Sequence, residues 1–231
     1  MGVVFVHGAC VRDGTWWWHR TAALLAERGV ASVAATLPSC GEAGVPAGTG
    51  GPGLAEDAAA LRALLLAADE PTVVVAHSYG GIVAAQAAAG VATVAHLLLI
   101  SSYLPEVGQS LQDFAGPEPA PFLDADAAGG TFGVRPEQMV PTFLQDCDGP
   151  LQTAGLQRLA RQSLRVTGQP VSAAAWHDVP STYLVCARDL GTPAQRQRRF
   201  AGRAGEVVEL DTGHHPFLSR PDAVRDLVLS R

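Results

Sequence analysis

Short runs rich in valine and leucine alternate with longer segments of helical spacing along most of this chain. Such runs, without an alternating polar face, are typical of strands buried on both sides of a parallel sheet. The runs predict strands at 2–6, 30–36, 72–76, 94–101, 181–187 and 206–210. The intervening segments predict helices at 16–28, 54–68, 82–90, 193–201 and 221–229. The alternation therefore predicts an α/β protein, a mostly parallel sheet of about six strands flanked by helices on both faces.

The alternation is interrupted once, between the fourth and fifth predicted strands. About eighty residues there contain no convincing strand signal, and apolar residues recur at helical spacing in 136–147 and 150–163. A connection of this length inside a compact domain is usually a functional insertion. We therefore expect 106–177 to form a helical cap before the penultimate strand, over the carboxyl ends of the strands. Residues 1–105 and 178–231 would then form the core of a single compact domain.

The strand at 72–76 and the helix after it are joined by a very short turn that contains Ser78. A turn this tight forces the residue at its apex into strained backbone geometry and lifts its side chain above the sheet edge. Ala76 and Gly80 are small enough to let strand and helix approach, and Gly81 adds room for packing. The pattern matches the nucleophile elbow G-x-S-x-G with alanine first. An ordinary turn with a capping serine is the alternative.

A serine nucleophile needs a base to take its proton, an acid to orient the base and donors for the developing oxyanion. His214 lies on the loop after the last predicted strand, and Asp189 directly follows the strand before it. The chain order Ser78, Asp189, His214 is the order of nucleophile, acid and base in α/β hydrolases. Two alternatives stay open, His215 as the base and Glu106 as the acid.

Composition and charge narrow the classes of partner. The 231 residues carry a net charge of −6 and include no lysine, which argues against nucleic acid or an anionic membrane as a partner. The 4 cysteines are widely scattered and the N-terminus has no signal-peptide pattern, so we expect reduced thiols and a cytoplasmic location. The sequence contains no run of about 18 apolar residues, which is the length that would predict a membrane span. A small-molecule substrate is the expected partner, and a homodimer is left open.

A glycine-rich stretch at 48–53 matches the G-x-G-x-x-G of dinucleotide-binding loops. No predicted strand precedes it, and the acidic residues about twenty positions further on come before the next strand rather than at its end. We interpret the stretch as a surface loop. Together with the absence of metal-ligand spacing among the cysteines, this predicts no cofactor and no metal.

Four segments together resemble the compact branch of α/β hydrolases that contains plant methyl-ester esterases, hydroxynitrile lyases and small bacterial carboxylesterases. They are 5–10 followed by the tryptophans at 16–18, then 76–81, 180–189 and 213–219. The resemblance covers nearly the whole chain. It implies the α/β-hydrolase fold, and an oxyanion hole built from the backbone N–H groups of Ala9 and Tyr79.

Two departures bear on the reaction. The lyases of this branch use a threonine in the oxyanion segment and a lysine directly after the catalytic histidine. Here those places hold Ala9-Cys10 and His215. A chain without lysine cannot use that device, which disfavours cyanohydrin cleavage.

The sequence thus predicts a serine hydrolase that cleaves a small to medium, largely apolar carboxylic ester through an acyl-enzyme on Ser78. The tryptophans beside the oxyanion segment and the apolar cap segments suggest the substrate pocket. The expected pocket residues are Cys10, Trp16, Trp17, Tyr103, Phe143 and His215. One alternative is lyase, cyclase or elimination chemistry on a specialised metabolite with the same three residues, and another is a non-catalytic small-molecule binder.

Overall fold

A six-stranded parallel sheet forms the centre of the protein. The structure, a computed structural model, describes residues 1–116, 118 and 120–231. The strands of this sheet are β1 (Gly2–Val6), β2 (Ser32–Ala34), β3 (Thr72–His77), β4 (Val94–Ile100), β8 (Ser181–Cys186) and β9 (Glu206–Leu210). Their order across the sheet is β2-β1-β3-β4-β8-β9. The α/β-hydrolase architecture that the alternation and the resemblance predict is confirmed.

Helices cover both faces of the sheet. They are α1 (Gly14–Ala26), α2 (Leu54–Ala67), α3 (Gly80–Ala87), α4 (Pro136–Phe143), α5 (Gly149–Leu156), α6 (Arg165–Gly168), α7 (Ala194–Ala201), α8 (Pro216–Ser219) and α9 (Pro221–Leu229). Short 3₁₀ turns lie at Pro38–Cys40, Glu42–Gly44, Leu111–Phe114 and Ala175–His177. Among the described residues, no helix combines the length and the apolar character that crossing a bilayer requires.

Strand β3 lies inside the sheet and every one of its residues is buried. Successive side chains of a strand point to opposite faces, so β3 contributes to two separate apolar layers. Val74 joins the layer that contains Leu61 of α2, whereas Val75 joins the layer that contains Trp18 of α1. This double burial explains the continuous run of valines, since neither face of the strand is solvated.

Some predicted boundaries differ from the observed ones. The strand expected at 30–36 contains only Ser32–Ala34, which lies at the edge of the sheet and pairs with β1 alone. The helix expected at 150–163 ends at Leu156. The chain beyond it forms a bridge from Leu159 to Val11 and then a short strand. These long-range backbone pairings replace the helix that local spacing predicts.

The expectation of no strand between the fourth and fifth core strands is wrong. That region contains a three-stranded antiparallel sheet of β5 (Leu123–Asp126), β6 (Thr131–Val134) and β7 (Gln162–Ser163). The strands have four residues at most; β5 and β6 are partly exposed and include acidic residues and a glycine, whereas β7 consists of two buried polar residues. Strands this short and this polar produce no apolar run. We call residues 106–177 the cap segment below.

The N-terminus of α3 packs directly against the end of β1. A Cβ atom added at Gly80 would lie 2.8 Å from the carbonyl oxygen of Val6 and 2.9 Å from that of His7. Backbone oxygens inside a sheet cannot move aside without breaking strand pairing. Glycine at this position is therefore required for the close approach of helix and strand.

We predict that Gly80→Ala lowers the free energy of unfolding by about 1–3 kcal/mol, as overpacking does in well-packed cores. Gly202→Ala is the matched control, because its Cβ would meet nothing closer than 3.5 Å and its φ is already −61°. Chemical denaturation of both variants measures the difference. Equal stability of the two variants would contradict the close approach at Gly80.

Candidate active site

Ser78 occupies a strained turn between β3 and α3. Its φ is +51°, in the left-handed region that non-glycine residues rarely adopt. Its backbone N–H donates a hydrogen bond of 3.2 Å to the carbonyl oxygen of Ile100. A Cβ at Gly81 would lie 2.5 Å from the carbonyl oxygen of Tyr103, so only glycine fits there as well. The backbone strain and the small neighbours are those of a nucleophile elbow.

Asp189 and His214 form a buried pair after β8 and β9. Asp189 Oδ2 lies 2.6 Å from His214 Nδ1, and the two residues are 3% and 4% exposed. The other carboxylate oxygen accepts the N–H groups of Gly191 at 2.8 Å and Thr192 at 2.9 Å. Burial acts to raise the pKa of Asp189, but His214 and the donated hydrogen bonds outweigh it and the pKa is lowered. The carboxylate is therefore ionised at neutral pH and can hold the imidazole in one tautomer.

Two further side chains hold this carboxylate, and sequence reasoning missed both. The Ser101 hydroxyl donates to Asp189 Oδ2 and lies 3.3 Å from His214 Nδ1. Gln197 of α7 donates to the same oxygen at 3.0 Å and accepts the N–H of Cys186 at 2.9 Å. Ser101 could have been found as a hydroxyl at the carboxyl end of the strand next to the elbow. The position of Gln197 depends on helix packing and leaves no local signal.

The alternative acid and base make contacts outside the Asp189–His214 pair. Glu106 accepts a hydrogen bond of 2.7 Å from His177 at an exposed position. His215 places its Nδ1 2.9 Å from the carbonyl oxygen of Phe143. The structure brings together the pair that the chain order indicated, Asp189 and His214.

The segment after β1 lies against Ser78. A Cβ at Gly8 would be 3.1 Å from the Ser78 Cβ, so the backbone of this segment passes next to the serine. Ala9 and Tyr79 both line the cavity described below. Among the described residues, the backbone N–H groups of Ala9 and Tyr79 have no hydrogen-bond acceptor, whereas that of Cys10 donates to Gln162 Oε1 at 3.0 Å. Two uncommitted donors beside a serine are what an oxyanion hole requires.

A cavity of about 980 Å³ opens beside Ser78, between the carboxyl ends of the core strands and the cap segment. Its wall is mainly apolar and aromatic, with Phe114, Phe122, Phe132 and Met139 from the cap segment. Of the predicted pocket residues, Cys10, Tyr103, Phe143 and His215 line it, together with Ser78 and His214. Burial raises the pKa of the Cys10 thiol to about 12, so this thiol is not a competing nucleophile.

Trp16 and Trp17 do not line the cavity, contrary to the expectation from the sequence. Trp17 is buried behind the wall, where its ring stacks on His215 with centroids 5.0 Å apart. Trp16 lies under the guanidinium of Arg158 at 4.3 Å. Consecutive helical residues point in different directions, so a run of three tryptophans cannot face one pocket. The third, Trp18, stacks on Phe5 of the sheet at 4.6 Å.

The Ser78 hydroxyl makes no hydrogen bond within the described part of the chain, although Ser78 and His214 share the cavity wall. Hydrogen bonds between nucleophile and base are often long before substrate binds, so this geometry is compatible with proton transfer. A serine on a strained turn, an imidazole oriented by a carboxylate and two free N–H groups can support acyl transfer. Together with the sheet order, these features define a hydrolase fold with a serine-type site.

The chain belongs to the alpha/beta hydrolase family, whose profile it matches over residues 3–227. A curated relative is an alpha/beta hydrolase from Aspergillus novofumigatus, 29% identical over 73% of this chain and 74% of the relative. A pyrethroid hydrolase from Sphingobium faniae JZ-2 has the same fold, with a TM-score of 0.87 and 20% identity over 100% of this chain and 96% of that one. A methylesterase from Arabidopsis superposes with a TM-score of 0.80 at 19% identity, covering 100% and 98%.

The geometry predicts that Asp189→Asn lowers the rate of any reaction that uses His214 as its base by about 10⁴, because the imidazole is then held in the wrong tautomer. Glu106→Gln, which removes the charge of a carboxylate that contacts only His177, should change the rate less than about twofold. Steady-state kinetics on an activated ester measures both variants, with circular dichroism to check folding. A larger effect at Glu106 than at Asp189 would contradict the assignment.

Proposed function

We propose that this protein hydrolyses carboxylic esters through an acyl-enzyme on Ser78. The observation that carries the proposal is the 2.6 Å contact of Asp189 with His214 at the wall of the cavity that also contains the strained Ser78. The fold of the chain and its membership of a hydrolase family support the same reading. The names of the two similar solved proteins, a pyrethroid hydrolase and a methylesterase, agree with ester cleavage.

In the proposed mechanism, Ser78 Oγ attacks the ester carbonyl carbon while His214 Nε2 takes the hydroxyl proton. The carbonyl oxygen becomes an oxyanion, which the N–H groups of Ala9 and Tyr79 stabilise. Collapse of the tetrahedral intermediate breaks the bond to the alcohol, which leaves with the proton from His214. Water then attacks the acyl-enzyme with His214 as base, and releases the acid. Asp189 keeps the Nδ1–H of the imidazole in place throughout.

The proposed substrate is medium-sized and bulky rather than compact. A cavity of about 980 Å³ is at the upper end of the range of about 300–1,000 Å³ that is usual for ligand pockets. Its aromatic lining favours burial of apolar rings or branched chains. A small ester would leave much of this wall in contact with water, so we expect affinity to rise with apolar size.

A second candidate is non-hydrolytic chemistry with the same residues, and His215 favours it. Its Nδ1 donates to the Phe143 carbonyl, which leaves Nε2 as a proton acceptor on a residue that lines the cavity beside His214. Burial, followed by the charge of His214, lowers the pKa of His215 to about 3. An imidazole with so low a pKa stays neutral but is a weak base, so in such a reaction His215 would accept a hydrogen bond from the bound substrate while His214 takes the proton.

We predict that a fluorophosphonate probe forms a covalent adduct on Ser78, because the elbow exposes an activated hydroxyl. Peptide mass spectrometry locates the adduct, and Ser78→Ala should remove it. Ser230→Ala is the control, since its hydroxyl bonds to the Leu227 carbonyl at an exposed helix end. Labelling at another residue, or none on the folded protein, would sink the nucleophile assignment.

Rapid-quench mass spectrometry with p-nitrophenyl esters separates the two candidate functions. Hydrolysis should give a burst of p-nitrophenol and an acyl adduct on Ser78. A lyase or cyclase that uses the residues only as a base forms no such adduct. Turnover of a native substrate without any acyl adduct would favour the second candidate.

The rate should rise with pH through a single ionisation, because His214 must be neutral to accept the Ser78 proton. Burial lowers the pKa of His77 well below its ordinary value and that of His215 to about 3, so neither ring should add a second ionisation near neutral pH. We expect His215→Asn to keep one ionisation in the profile of kcat/KM against pH. A profile of the native protein with two steps, reduced to one in this variant, would show instead that the imidazoles are coupled.

A further inference from the structure

A chain of buried hydrogen bonds joins the two segments that carry the proposed oxyanion donors. Its centre is Asp57 on α2, which is 0% exposed and lies outside the cavity wall. The Tyr79 hydroxyl donates to Asp57 Oδ2 at 2.8 Å. Ser39 donates its hydroxyl to the same oxygen at 2.5 Å and its N–H to Oδ1 at 2.8 Å. The mechanism proposed above uses neither Asp57 nor Ser39.

The chain continues from Ser39 to the segment after β1. Gln162 of the cap segment donates its Nε2 to the Ser39 hydroxyl at 2.9 Å. Its Oε1 accepts the backbone N–H of Cys10 at 3.0 Å. This last bond fixes the peptide plane that joins Ala9 to Cys10, where Cys10 has the left-handed φ of +61°. The Ala9 N–H belongs to the preceding peptide plane, so this acceptor in the cap segment restrains its orientation through the φ and ψ angles of Ala9.

Along this series of hydrogen bonds, each donor gives its hydrogen to the partner that is nearer to Asp57. A carboxylate can accept several hydrogen bonds at once, whereas a neutral amide in its place would present an N–H₂ group to two hydroxyl donors. No ion pair to Asp57 is present among the described residues, and its polar contacts are the hydrogen bonds from Ser39 and Tyr79. Burial raises the pKa of Asp57, and the bonds from Ser39 and Tyr79 oppose that rise. Burying a carboxylate without a cationic partner costs folding free energy, and apolar side chains in place of Asp57 and Ser39 would avoid that cost.

We propose that Asp57 is a positioning residue that fixes both arms of the oxyanion hole, through Tyr79 on one side and through Ser39 and Gln162 on the other. The inference rests on the proposed function, because it assigns a role in stabilising the oxyanion of ester hydrolysis. The two ends of the chain are the two segments on which the donors lie. Loss of a link should therefore weaken transition-state binding more than substrate binding.

Two variants break this chain of hydrogen bonds while keeping both backbone N–H donors. Ser39→Ala removes the central hydroxyl, and Tyr79→Phe removes the phenol but keeps the backbone N–H. Ser163→Ala and Tyr183→Phe are the matched controls. Ser163 and Tyr183 are buried like Ser39 and Tyr79, and their hydroxyls donate to the carbonyls of Gly48 at 3.1 Å and Ser102 at 2.7 Å.

We expect kcat to fall about tenfold in Ser39→Ala and Tyr79→Phe, less than the 10²–10³ caused by deleting a donor. KM should stay within about twofold, and each control should keep kcat within about threefold at comparable thermal stability. The serine adds to the carbonyl carbon of a trifluoromethyl ketone, and the former carbonyl oxygen becomes an oxyanion. The affinity for this inhibitor should therefore fall in parallel with kcat. Equal losses in variants and controls, or a change confined to KM, would overturn the proposal.

Amide hydrogen exchange in the segment 8–11 gives a readout independent of catalysis. Loss of the Ser39 hydroxyl should loosen Gln162 and speed exchange of the Cys10 N–H, whereas Ser163→Ala should not. If the native protein cleaves no ester, the proposed function fails while this comparison still decides the positioning claim. Equal exchange in Ser39→Ala and Ser163→Ala would overturn it.

Discussion

The site depends on one constraint, the abrupt turn from β3 into α3 that holds Ser78 at a φ of +51°. A left-handed residue of this kind costs about 1–3 kcal/mol and persists only where its surroundings determine it. Here the surroundings are backbone groups on both sides, which leave no room for a side chain at Gly80 or Gly81. The same closeness places Ser78 beside Gly8 and the free N–H of Ala9. Strain at one residue thus brings the proposed nucleophile and the segment that carries Ala9 together.

Two buried carboxylates organise the rest of the site in opposite ways. Asp189 has a cationic partner in His214 when that ring is protonated, and its pKa is lowered. Asp57 has only hydroxyl and amide donors, and burial raises its pKa. Asp189 can therefore stabilise the charge that forms on the imidazole during reaction. Asp57 is 0% exposed and accepts hydrogen bonds from Ser39 and Tyr79, so it is suited to fixing the position of these two segments rather than to proton transfer.

The cap segment does more than cover the cavity, because it also holds the histidine loop. The Phe143 carbonyl lies 2.9 Å from His215 Nδ1, and Asp146 Oδ2 accepts the Gly213 N–H at 2.6 Å. The Phe143 ring meets the His214 ring edge to face at 5.0 Å. The cap segment therefore contacts both the loop of the proposed base and, through Gln162, the segment that carries Ala9.

The sequence by itself determined the parallel core, the elbow and the chain order of Ser78, Asp189 and His214, since buried strands and strained turns demand particular residues locally. The core strands were predicted to within a few residues for this reason. Only the tertiary structure decided the cap sheet, because strands as short as β7 are defined by distant partners rather than by their own pattern. The tertiary structure also places Trp16 and Trp17 outside the cavity wall, because consecutive residues of a helix point in different directions even when they follow the oxyanion segment closely in sequence. Gln197 and Asp57 were unpredictable for the same reason: each acts through a residue far away in sequence, and nothing local distinguishes it from a capping or surface side chain. Ser101 differs, because a hydroxyl at the carboxyl end of the strand next to the elbow is a signal that the sequence does contain.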